Sequence, residues 1–427
     1  MTDSLVVILE DVVAGALVRT TRGALRFDYS DDYRRGAGAT PLSLSMPIEV
    51  PSHTDRIVKP WLRGLLPDNA AVLARWARQF HVSASSPFSL LATQIGEDCA
   101  GAVRFATPDR ADAALSRSGG VDWLTEEDIA ARLTDLKEDS TAWLGRNFTG
   151  QFSLAGAQAK TALLYRDGRW GVPKGATPTT HILKPAVAGF DDHDLNEHLC
   201  LDAARRIGLL VVRTSVMRFG AESAIVVDRY DRHEQSNGEI SRVHQEDVCQ
   251  ALGIPPSRKY QNEGGPGPAE VADLFRRVMP PQPGDLAVAR FVDALIWNWL
   301  IGGTDAHAKN YSLLLAGQQV RLAPLYDIAS ALPYELDERR LRLAMKIGDD
   351  YRVYPHHNAW PRAARSLALK ELDVIGRVRE LAVAAPQALA DAANAPDIRV
   401  LGRPLPARLV DLVAERAQRC MRVISGP

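Results

Sequence analysis

Short apolar runs alternate with polar positions over residues 4–47, with the two-residue period of β-strands. The runs LVVILE, GALVRT, LRFDY and LSLSM are separated by polar breaks, and they predict a small antiparallel sheet. The period lengthens to that of helices over residues 61–80 and 87–95, and GEDCAGAVRFA then predicts a strand that ends near Ala106. The N-terminal part is therefore predicted to be a β/α subdomain.

The middle of the chain begins with a break in this pattern. Residues 108–120 are polar and rich in Ser, Ala, Gly and Asp, which predicts a linker or an exposed excursion. An amphipathic helix is predicted over residues 125–137, and beyond it two apolar runs flank Asp167-Gly168, a dipeptide typical of a two-residue hairpin turn. HILK at 181–184 predicts another strand, and residues 195–207 predict a helix.

The C-terminal half is mostly helical in its periodicity. Apolar residues from Val292 to Trp299 repeat at helical spacing and predict a buried helix that ends before Gly302-Gly303. Two short strands are predicted next, at 311–315 and 320–325. Further helices are predicted at 246–252, 269–278, 358–367, 372–385 and 406–424.

Composition limits the classes of protein that fit this pattern. The 427 residues are enough for two or three domains, and the net charge of −1 offers no global attraction to nucleic acid or to anionic membranes. The four cysteines lack metal-ligand spacing and a disulfide framework, which predicts a reducing, cytoplasmic location. Neither a signal peptide nor a membrane-spanning apolar run is apparent, so no membrane association is expected.

Candidate catalytic residues lie within WNWLIGGTDAHAKNYSLLLAGQQVRLAPLYD, residues 297–327. Asp305 and Asn310 have the spacing of a kinase catalytic loop, in which the aspartate accepts the proton of the attacking hydroxyl and the asparagine holds magnesium. Asp327 follows after one predicted hairpin, where a second magnesium ligand is expected. Taken singly, each residue has a purely structural explanation: Asp305 as the cap of a turn, Asn310 as the end of a loop and Asp327 as the start of a helix. Together, with His307 inside the motif, they favour the catalytic interpretation.

A second candidate region is SLAGAQAK, residues 153–160. Its small residues would let backbone N–H groups approach phosphate oxygens, and Lys160 adds positive charge, although a tight turn is the alternative. Lys184 ends a predicted strand, where a kinase lysine faces nucleotide phosphates, and Glu197 lies on the helix that would supply its partner. The alternatives are that Lys184 is a solvated strand end and that Glu197 is an ordinary exposed helix residue. The following strands lead into Asp228-Arg229-Tyr230, a candidate hinge for an adenine.

Seven segments together form a specific set of motifs. They are LLPDN at 65–69, SLAGAQAKTALL at 153–164, VPKGATPTTHILK at 172–184, NEHLC at 196–200, KYQNEGGPG at 259–267, TDAHAKN at 304–310 and PLYDIAS at 324–330. In this order, and over nearly the whole chain, the sequence resembles the HipA family, the serine/threonine kinase toxins of bacterial toxin–antitoxin modules.

The resemblance implies an α+β, two-lobed protein-kinase-like fold with a mixed N-lobe sheet, an additional N-terminal β/α subdomain and an all-α C-lobe. The expected domains are the N-terminal subdomain at 1–107, a linker and helix at 108–145, the kinase N-lobe with phosphate loop and hinge at 146–230, and the helical C-lobe with catalytic loop and metal site at 231–427.

The resemblance also implies roles for individual residues. Asp305 would be the catalytic base, and Asn310 and Asp327 would ligate Mg²⁺. Ser153 would be autophosphorylated, which in the family expels the phosphate loop and inactivates the kinase. A phosphoserine adds about −1.5 to −2 charge, which would repel ATP phosphates, whereas a turn-capping hydroxyl is the alternative. The implied ATP contacts are Ala155, Gly156, Ala157, Gln158, Lys160, Lys184, Asp228, Arg229, Tyr230, His307 and Lys309.

Family members phosphorylate aminoacyl-tRNA synthetases, which stalls translation and produces growth arrest or persistence, so a protein substrate of this kind is implied here. A HipB helix-turn-helix antitoxin neutralises the toxin, binds operator DNA and represses the operon. The near-neutral charge fits DNA contact chiefly through that partner. Arg362 and Arg365 fall near where the family toxin touches DNA, although two arginines on a helix also fit a solvated face.

Other functions stay open at this point. DAHAKN lacks the HRD order of ordinary protein kinases, and lipid kinases also use an Asp-x-His-x-x-Asn arrangement, so a lipid or small-molecule phosphotransferase is one alternative. A catalytically idle transcriptional corepressor is a second. A metal-dependent hydrolase built from Asp305, His307 and Asp327 is a third.

Overall fold

The computed structural model describes residues 3–116, 119–145, 149–187, 189–335 and 337–425. The chain forms two compact units. The first unit comprises residues 1–185, 218–257 and 312–323, and the second comprises residues 186–217, 258–311 and 324–427. Among the described helices, none has the length and apolarity needed to cross a membrane.

Most strands lie in the first unit, whereas the two strands within residues 342–352 lie in the second. The strands of the whole chain are β1 (Asp3–Leu9), β2 (Val12–Arg19), β3 (Leu25–Tyr29), β4 (Ser52–Thr54), β5 (Val103–Ala106), β6 (Gly119–Trp123), β7 (Thr161–Arg166), β8 (Arg169–Gly175), β9 (His181–Pro185), β10 (Thr214–Phe219), β11 (Glu222–Asp228), β12 (Arg232–Glu234), β13 (Ile240–Arg242), β14 (His244–Asp247), β15 (Ser312–Ala316), β16 (Gln319–Leu322), β17 (Arg342–Ile347) and β18 (Asp350–Arg352).

Helices dominate the second unit. The helices of the whole chain are α1 (Asp31–Arg35), α2 (Asp55–Leu65), α3 (Ala70–Gln79), α4 (Pro87–Leu91), α5 (Ala111–Leu115), α6 (Glu126–Glu138), α7 (His193–Arg206), α8 (Val248–Ala251), α9 (Pro268–Val278), α10 (Pro281–Ile301), α11 (Ala359–Ser366), α12 (Glu371–Ala393), α13 (Pro396–Arg399) and α14 (Leu405–Ser425).

The N-terminal sheet has the strand order β4-β3-β2-β1-β5 with antiparallel pairing, which confirms the predicted antiparallel sheet. LSLSM is not one of its strands, contrary to the prediction. Ser43 and Met46 close a turn instead, because Ser43 Oγ and Leu44 N bind the buried Glu246 carboxylate at 2.6 and 2.7 Å. The predicted 61–80 helix is two helices, since Asn69 accepts from Ala71 N and caps the second.

The second sheet has six strands in the order β10-β11-β9-β7-β8-β6, and five of them, β6 to β9 and β11, lie wholly in the first unit. Asp167 and Gly168 both have positive φ, and Arg166 pairs with Arg169, which confirms the predicted two-residue hairpin. The pairings described for these five strands are antiparallel, so they do not show the expected mixed character. Residues 108–120 are not a plain linker, because they contain the short helix α5 and the start of β6.

The second unit is built around α10, which is buried along most of its last three turns. Arg416 of α14 is fully buried beside it, and its guanidinium donates to the Trp299 and Leu300 carbonyls at 2.6–3.1 Å. This cation neutralises the carbonyl end of α10, where the helix dipole is negative. The C-lobe expected at 231–427 is not all-α, since β12 to β16 lie within these bounds and β17 and β18 form an antiparallel hairpin in this unit.

Candidate active site

The candidate catalytic loop begins where α10 ends. Gly302 has φ of 67°, the left-handed conformation that commonly ends a helix and favours glycine. Gly303 N then donates to Asn298 O at 2.7 Å, and a Cβ on Gly303 would lie 2.3 Å from Asn298 Oδ1. The two glycines therefore allow the chain to turn closely against the helix end, as the sequence predicts.

Asp305 and Asn310 are held together within this loop. Asn310 Nδ2 donates to the backbone carbonyl of Asp305 at 2.8 Å, and His307 Nε2 lies 3.9 Å from Asp305 Oδ1. The Asp305 side chain is 64% exposed, whereas His307 is buried. The asparagine thus fixes the loop, while much of the aspartate side chain is accessible to solvent.

Asp327 has an unusual backbone conformation, with φ of 59°. Its neighbour Tyr326 donates from Oη to the Lys309 carbonyl at 2.7 Å, which joins this segment to the residue before Asn310. Ser330 and Asn196 exchange two hydrogen bonds, of 2.8 and 2.9 Å, and so hold the segment against α7. The second unit therefore brings the segments of Asn310 and Asp327 together.

The donor atoms of this site fit magnesium. Among the described residues there is no cluster of three His, Cys, Asp or Glu side chains arranged to hold a metal. Because Asn310 Nδ2 is engaged with Asp305, its Oδ1 is the atom left for a cation. An amide oxygen with one carboxylate suits Mg²⁺, which takes its remaining ligands from water and substrate phosphates.

The candidate phosphate loop belongs to the first unit, and Ser153 at its head is completely buried. Ser153 Oγ donates to Leu65 O at 2.7 Å, and Ser153 N donates to Asp98 O at 2.9 Å. Asp68 N also donates to Gly156 O at 3.0 Å. The buried LLPDN segment and Asp98 therefore hold the loop in place.

The loop offers hydrogen-bond donors. Among the described contacts, none uses the backbone N–H groups of residues 155–158, and Gln158 Nε2 is buried without a partner. Lys160 Nζ donates to Ala155 O at 2.8 Å and lies 5.0 Å from the Trp143 ring centroid. Gly156 has φ of 101°, and a Cβ there would lie 2.6 Å from Lys160 Nζ. Unused donors beside a lysine fit an anionic phosphate.

The other predicted nucleotide contacts in the first unit lie on strand ends. Lys184 is 6% exposed and pairs with Ile225 across β9 and β11. At the end of β11, Asp228 Oδ1 lies 3.2 Å from His181 Nε2. Tyr230 Oη donates to Gln245 Oε1 at 2.6 Å.

Arg229, the middle residue of the predicted hinge, belongs to a buried ion cluster. Its guanidinium donates to Asp231 at 2.7 Å and to Asp98 at 3.2 Å. Arg232 and Arg242 also bind the Asp98 carboxylate. Burial alone would raise the pKa of Asp98, but the three arginines hold it well below its ordinary value. The Arg229 side chain is thus committed to a cluster that also supports Ser153 through the Asp98 carbonyl.

Three predicted residues of the second unit lie elsewhere in the structure. Arg362 pairs with Asp349 and Arg365 with Glu371, all on exposed side chains, where ion pairs contribute little. Their DNA contact stays a prediction. Glu197 is 1% exposed, which excludes the exposed-helix alternative, and its pairing with Lys184 stays a prediction.

Sequence reasoning missed two supporting residues. Tyr260 donates a hydrogen bond to Asp305, and Asn196 holds the Asp327 segment. Both lie inside motifs that the sequence analysis singled out without giving them a role, KYQNEGGPG and NEHLC. Only the folded contacts reveal their partners, because each partner is far away in the sequence.

Comparison with known proteins gives matches over most of the chain. The HipA-like C-terminal domain matches residues 152–389, and the HipA N-terminal domain matches residues 5–106. The chain is 34% identical over 347 residues to Y4mE of Sinorhizobium fredii, a protein named as a kinase, with 79% of each chain covered. It is 29% identical over 399 residues to the serine/threonine-protein kinase toxin HipA of Shewanella oneidensis, covering 90% of this chain and 88% of that protein.

A solved structure extends the similarity to three dimensions. HipA of Shewanella oneidensis, in a complex with HipB and its operator DNA, superimposes with a TM-score of 0.83 at 25% identity. The match covers 99% of this chain and 100% of that chain. The α+β fold class predicted from the sequence is thereby confirmed.

Proposed function

The chain belongs to the HipA family, and from this premise we propose that it is an ATP- and magnesium-dependent serine/threonine protein kinase. The observation that carries the proposal is the assembly within the second unit. Asn310 Nδ2 donates to the Asp305 carbonyl at 2.8 Å. Tyr326 Oη donates to the Lys309 carbonyl at 2.7 Å, which joins the Asp327 segment to the residue before Asn310. A base and two hard-oxygen ligands on adjoining segments are what phosphoryl transfer requires.

Asp305 would orient the acceptor hydroxyl and accept its proton as the oxygen attacks phosphorus. Its exposed carboxylate suits this role, because an acceptor carried on another protein must reach it. Asn310 would hold the loop through its Nδ2 and offer Oδ1 to the cation, together with the Asp327 carboxylate. These residues act mainly by positioning and by balancing charge.

The first unit would bind the nucleotide phosphates. Bound MgATP supplies the transferable γ-phosphoryl group and the cation that balances its charge. The backbone N–H groups of 155–158 and Gln158 Nε2 would donate to phosphate oxygens, while Lys184 adds positive charge. Gly156 and Lys160 would maintain the loop, since Lys160 Nζ donates to the Ala155 carbonyl and a Cβ at position 156 would collide with that Nζ.

Ser153 would be the autophosphorylation site that switches the enzyme off. Its hydroxyl is buried and bonded to Leu65 O, so phosphorylation requires the loop to leave this position. The phosphate would add about −1.5 to −2 charge. A loop that carries this charge would not return to a buried position beside the site that accepts ATP phosphates. The loop would then stay outside, and nucleotide binding would be lost.

A HipB-like antitoxin and an aminoacyl-tRNA synthetase are the proposed partners, as neutraliser and as substrate. Support for the antitoxin comes from the Shewanella oneidensis HipA structure, which contains HipB and operator DNA. The net charge of −1 fits DNA contact chiefly through that antitoxin, with repression of the operon as a joint activity. Phosphorylation of the synthetase would stall translation, with growth arrest and persistence as the consequence.

The experiment is incubation of purified protein with Mg²⁺ and γ-labelled ATP, with and without host extract, comparing wild type with Asp305→Asn. We expect label on Ser153 and on one extract protein, and a loss of at least roughly a thousandfold in the variant. The variant should retain the wild-type melting temperature and nucleotide affinity. Label confined to lipid or small molecules would support the rival phosphotransferase. If the wild-type protein transfers no phosphate, the result would support the alternative function of a corepressor that binds but does not catalyse.

A further inference from the structure

The KYQNEGGPG motif forms a compact loop beside the catalytic loop in the second unit. The Tyr260 carbonyl accepts from Glu263 N at 3.0 Å and from Gly265 N at 2.9 Å. A Cβ on Gly265 would lie 2.2 Å from the Arg258 carbonyl oxygen, so only glycine fits this close approach. The motif therefore specifies the conformation of one tight turn.

This loop is fastened on two sides. Ala308 N, in the catalytic loop, donates to Lys259 O at 3.2 Å. Gln261 Oε1 accepts from Lys346 N of β17 at 2.8 Å. The backbone on either side of Tyr260 is therefore held in register with the segment that carries Asp305.

The Tyr260 side chain reaches the candidate base directly. Its Oη donates to Asp305 Oδ1 at 2.5 Å. The ring packs edge-on against His307, with centroids 5.0 Å apart and an interplanar angle of 85°. Because His307 is buried, the phenol ring has a firm surface on one side and its hydroxyl direction is defined.

We propose that Tyr260 is a positioning residue for Asp305, an inference that rests on the kinase function proposed above. Its hydroxyl binds Oδ1 of the carboxylate and so fixes the orientation of the Asp305 side chain toward an acceptor hydroxyl. Tyr260 itself takes no proton and forms no bond to the transferred group.

A hydroxyl that donates to the base also resembles the hydroxyl of an acceptor. Tyr260 would then be an internal mimic that keeps substrates out. The two fastenings of the loop favour positioning, because a mimic must withdraw when an acceptor arrives. The two roles predict opposite effects when the hydroxyl is removed.

The test is Tyr260→Phe, measured as the initial rate of autophosphorylation from γ-labelled ATP at several ATP concentrations. We expect the maximal rate to fall about 10- to 100-fold, the loss of one hydrogen bond to a charged group. The KM for ATP should stay within about twofold, since the proposed nucleotide contacts do not include Tyr260. A merely structural role would not lower the maximal rate at an unchanged KM.

Tyr351→Phe is the matched control, because it removes a tyrosine hydroxyl in the same unit, from a ring that lies under Lys346. Its maximal rate and KM for ATP should equal those of wild type. A Tyr260→Phe rate equal to or above wild type, with active wild type and silent Asp305→Asn, would overturn the positioning role and leave the kinase function intact. Wild type without autophosphorylation would overturn both.

Discussion

At the residue scale, Asp327 combines a candidate ligand with a strained backbone. A non-glycine residue at positive φ costs free energy, and Asp and Asn tolerate it better than most residues. Strain of this kind persists where the surrounding contacts enforce it, and it is concentrated at functional sites. The Tyr326 and Ser330 hydrogen bonds on either side supply that enforcement.

Asp327→Asn removes the carboxylate charge and preserves the backbone conformation, because asparagine also tolerates positive φ. We expect the affinity for ATP in the presence of Mg²⁺ to fall roughly tenfold or more, which is about 1.4 kcal/mol. Affinity for ATP with chelator present should not change. Isothermal calorimetry with and without Mg²⁺ measures both values.

Asp349→Asn is the control, since Asp349 forms an exposed pair with Arg362 and its loss should leave both affinities unchanged. Equal magnesium dependence in Asp327→Asn and wild type would remove Asp327 from the proposed metal site.

At the scale of elements, strand β14 carries a buried polar residue, Glu246, which connects this strand to the turn at Ser43 and Leu44 in the first unit. Glu246 is fully buried and accepts from Leu44 N and Ser43 Oγ of the N-terminal turn. Burial raises the pKa of Glu246 from 4.5 to about 8, against the opposing effect of these hydrogen bonds. On the same strand, burial lowers the pKa of His244 from 6.5 to about 4.

These shifts predict how stability depends on pH. Glu246 contributes fully below pH 4.5, and its contribution is lost as pH rises to about 8, because the folded state retains a proton that the unfolded state releases. His244 acts in the opposite direction, between pH 4 and 6.5. From pH 6.5 to 8 only the Glu246 effect of this pair acts, with a slope of at most about 1.4 kcal/mol per pH unit.

Glu246→Gln should remove this slope, because glutamine keeps the shape and does not titrate. Urea unfolding at pH 6.5, 7.25 and 8 gives the free energy of unfolding at each point. Glu234→Gln, at an exposed position of β12, should retain the wild-type slope. A slope that survives in Glu246→Gln would show that another group binds the proton.

At the scale of the whole molecule, the reactivity of the four cysteines measures how well each unit stays folded, because each unit contains two of them. Cys99 and Cys249 lie in the first unit, Cys200 and Cys420 lie in the second, and each is at most 1% exposed. Burial also raises the pKa of Cys200 to about 12 and that of Cys420 to about 11, which removes the reactive thiolate.

We therefore expect native protein to react with a thiol reagent at least roughly a hundredfold more slowly than protein in guanidinium, where all four thiols become available. Absorbance of the released thiol measures both rates, and mass spectrometry identifies the residue modified first. Rapid native labelling of any cysteine would reveal local opening of the unit that contains it.

Local patterns were sufficient for elements whose signal lies in neighbouring residues. Asp167-Gly168 predicts its hairpin because the turn itself demands positive φ, and the apolar spacing from Val292 to Trp299 predicts α10. LSLSM has the alternation of a strand and forms a turn, because its serine binds a glutamate 203 residues away. That partner cannot be found from local periodicity.

The sequence by itself determined the α+β class, most elements and the identity of the base and ligand candidates, since periodicity and motif spacing are local properties. The tertiary structure decided what surrounds them. It buried Ser153 against Leu65, committed Arg229 to the Asp98 cluster and set Tyr260 on Asp305. Those contacts join residues 45 to 131 positions apart, and only packing of the folded chain selects one partner among many of the same chemistry.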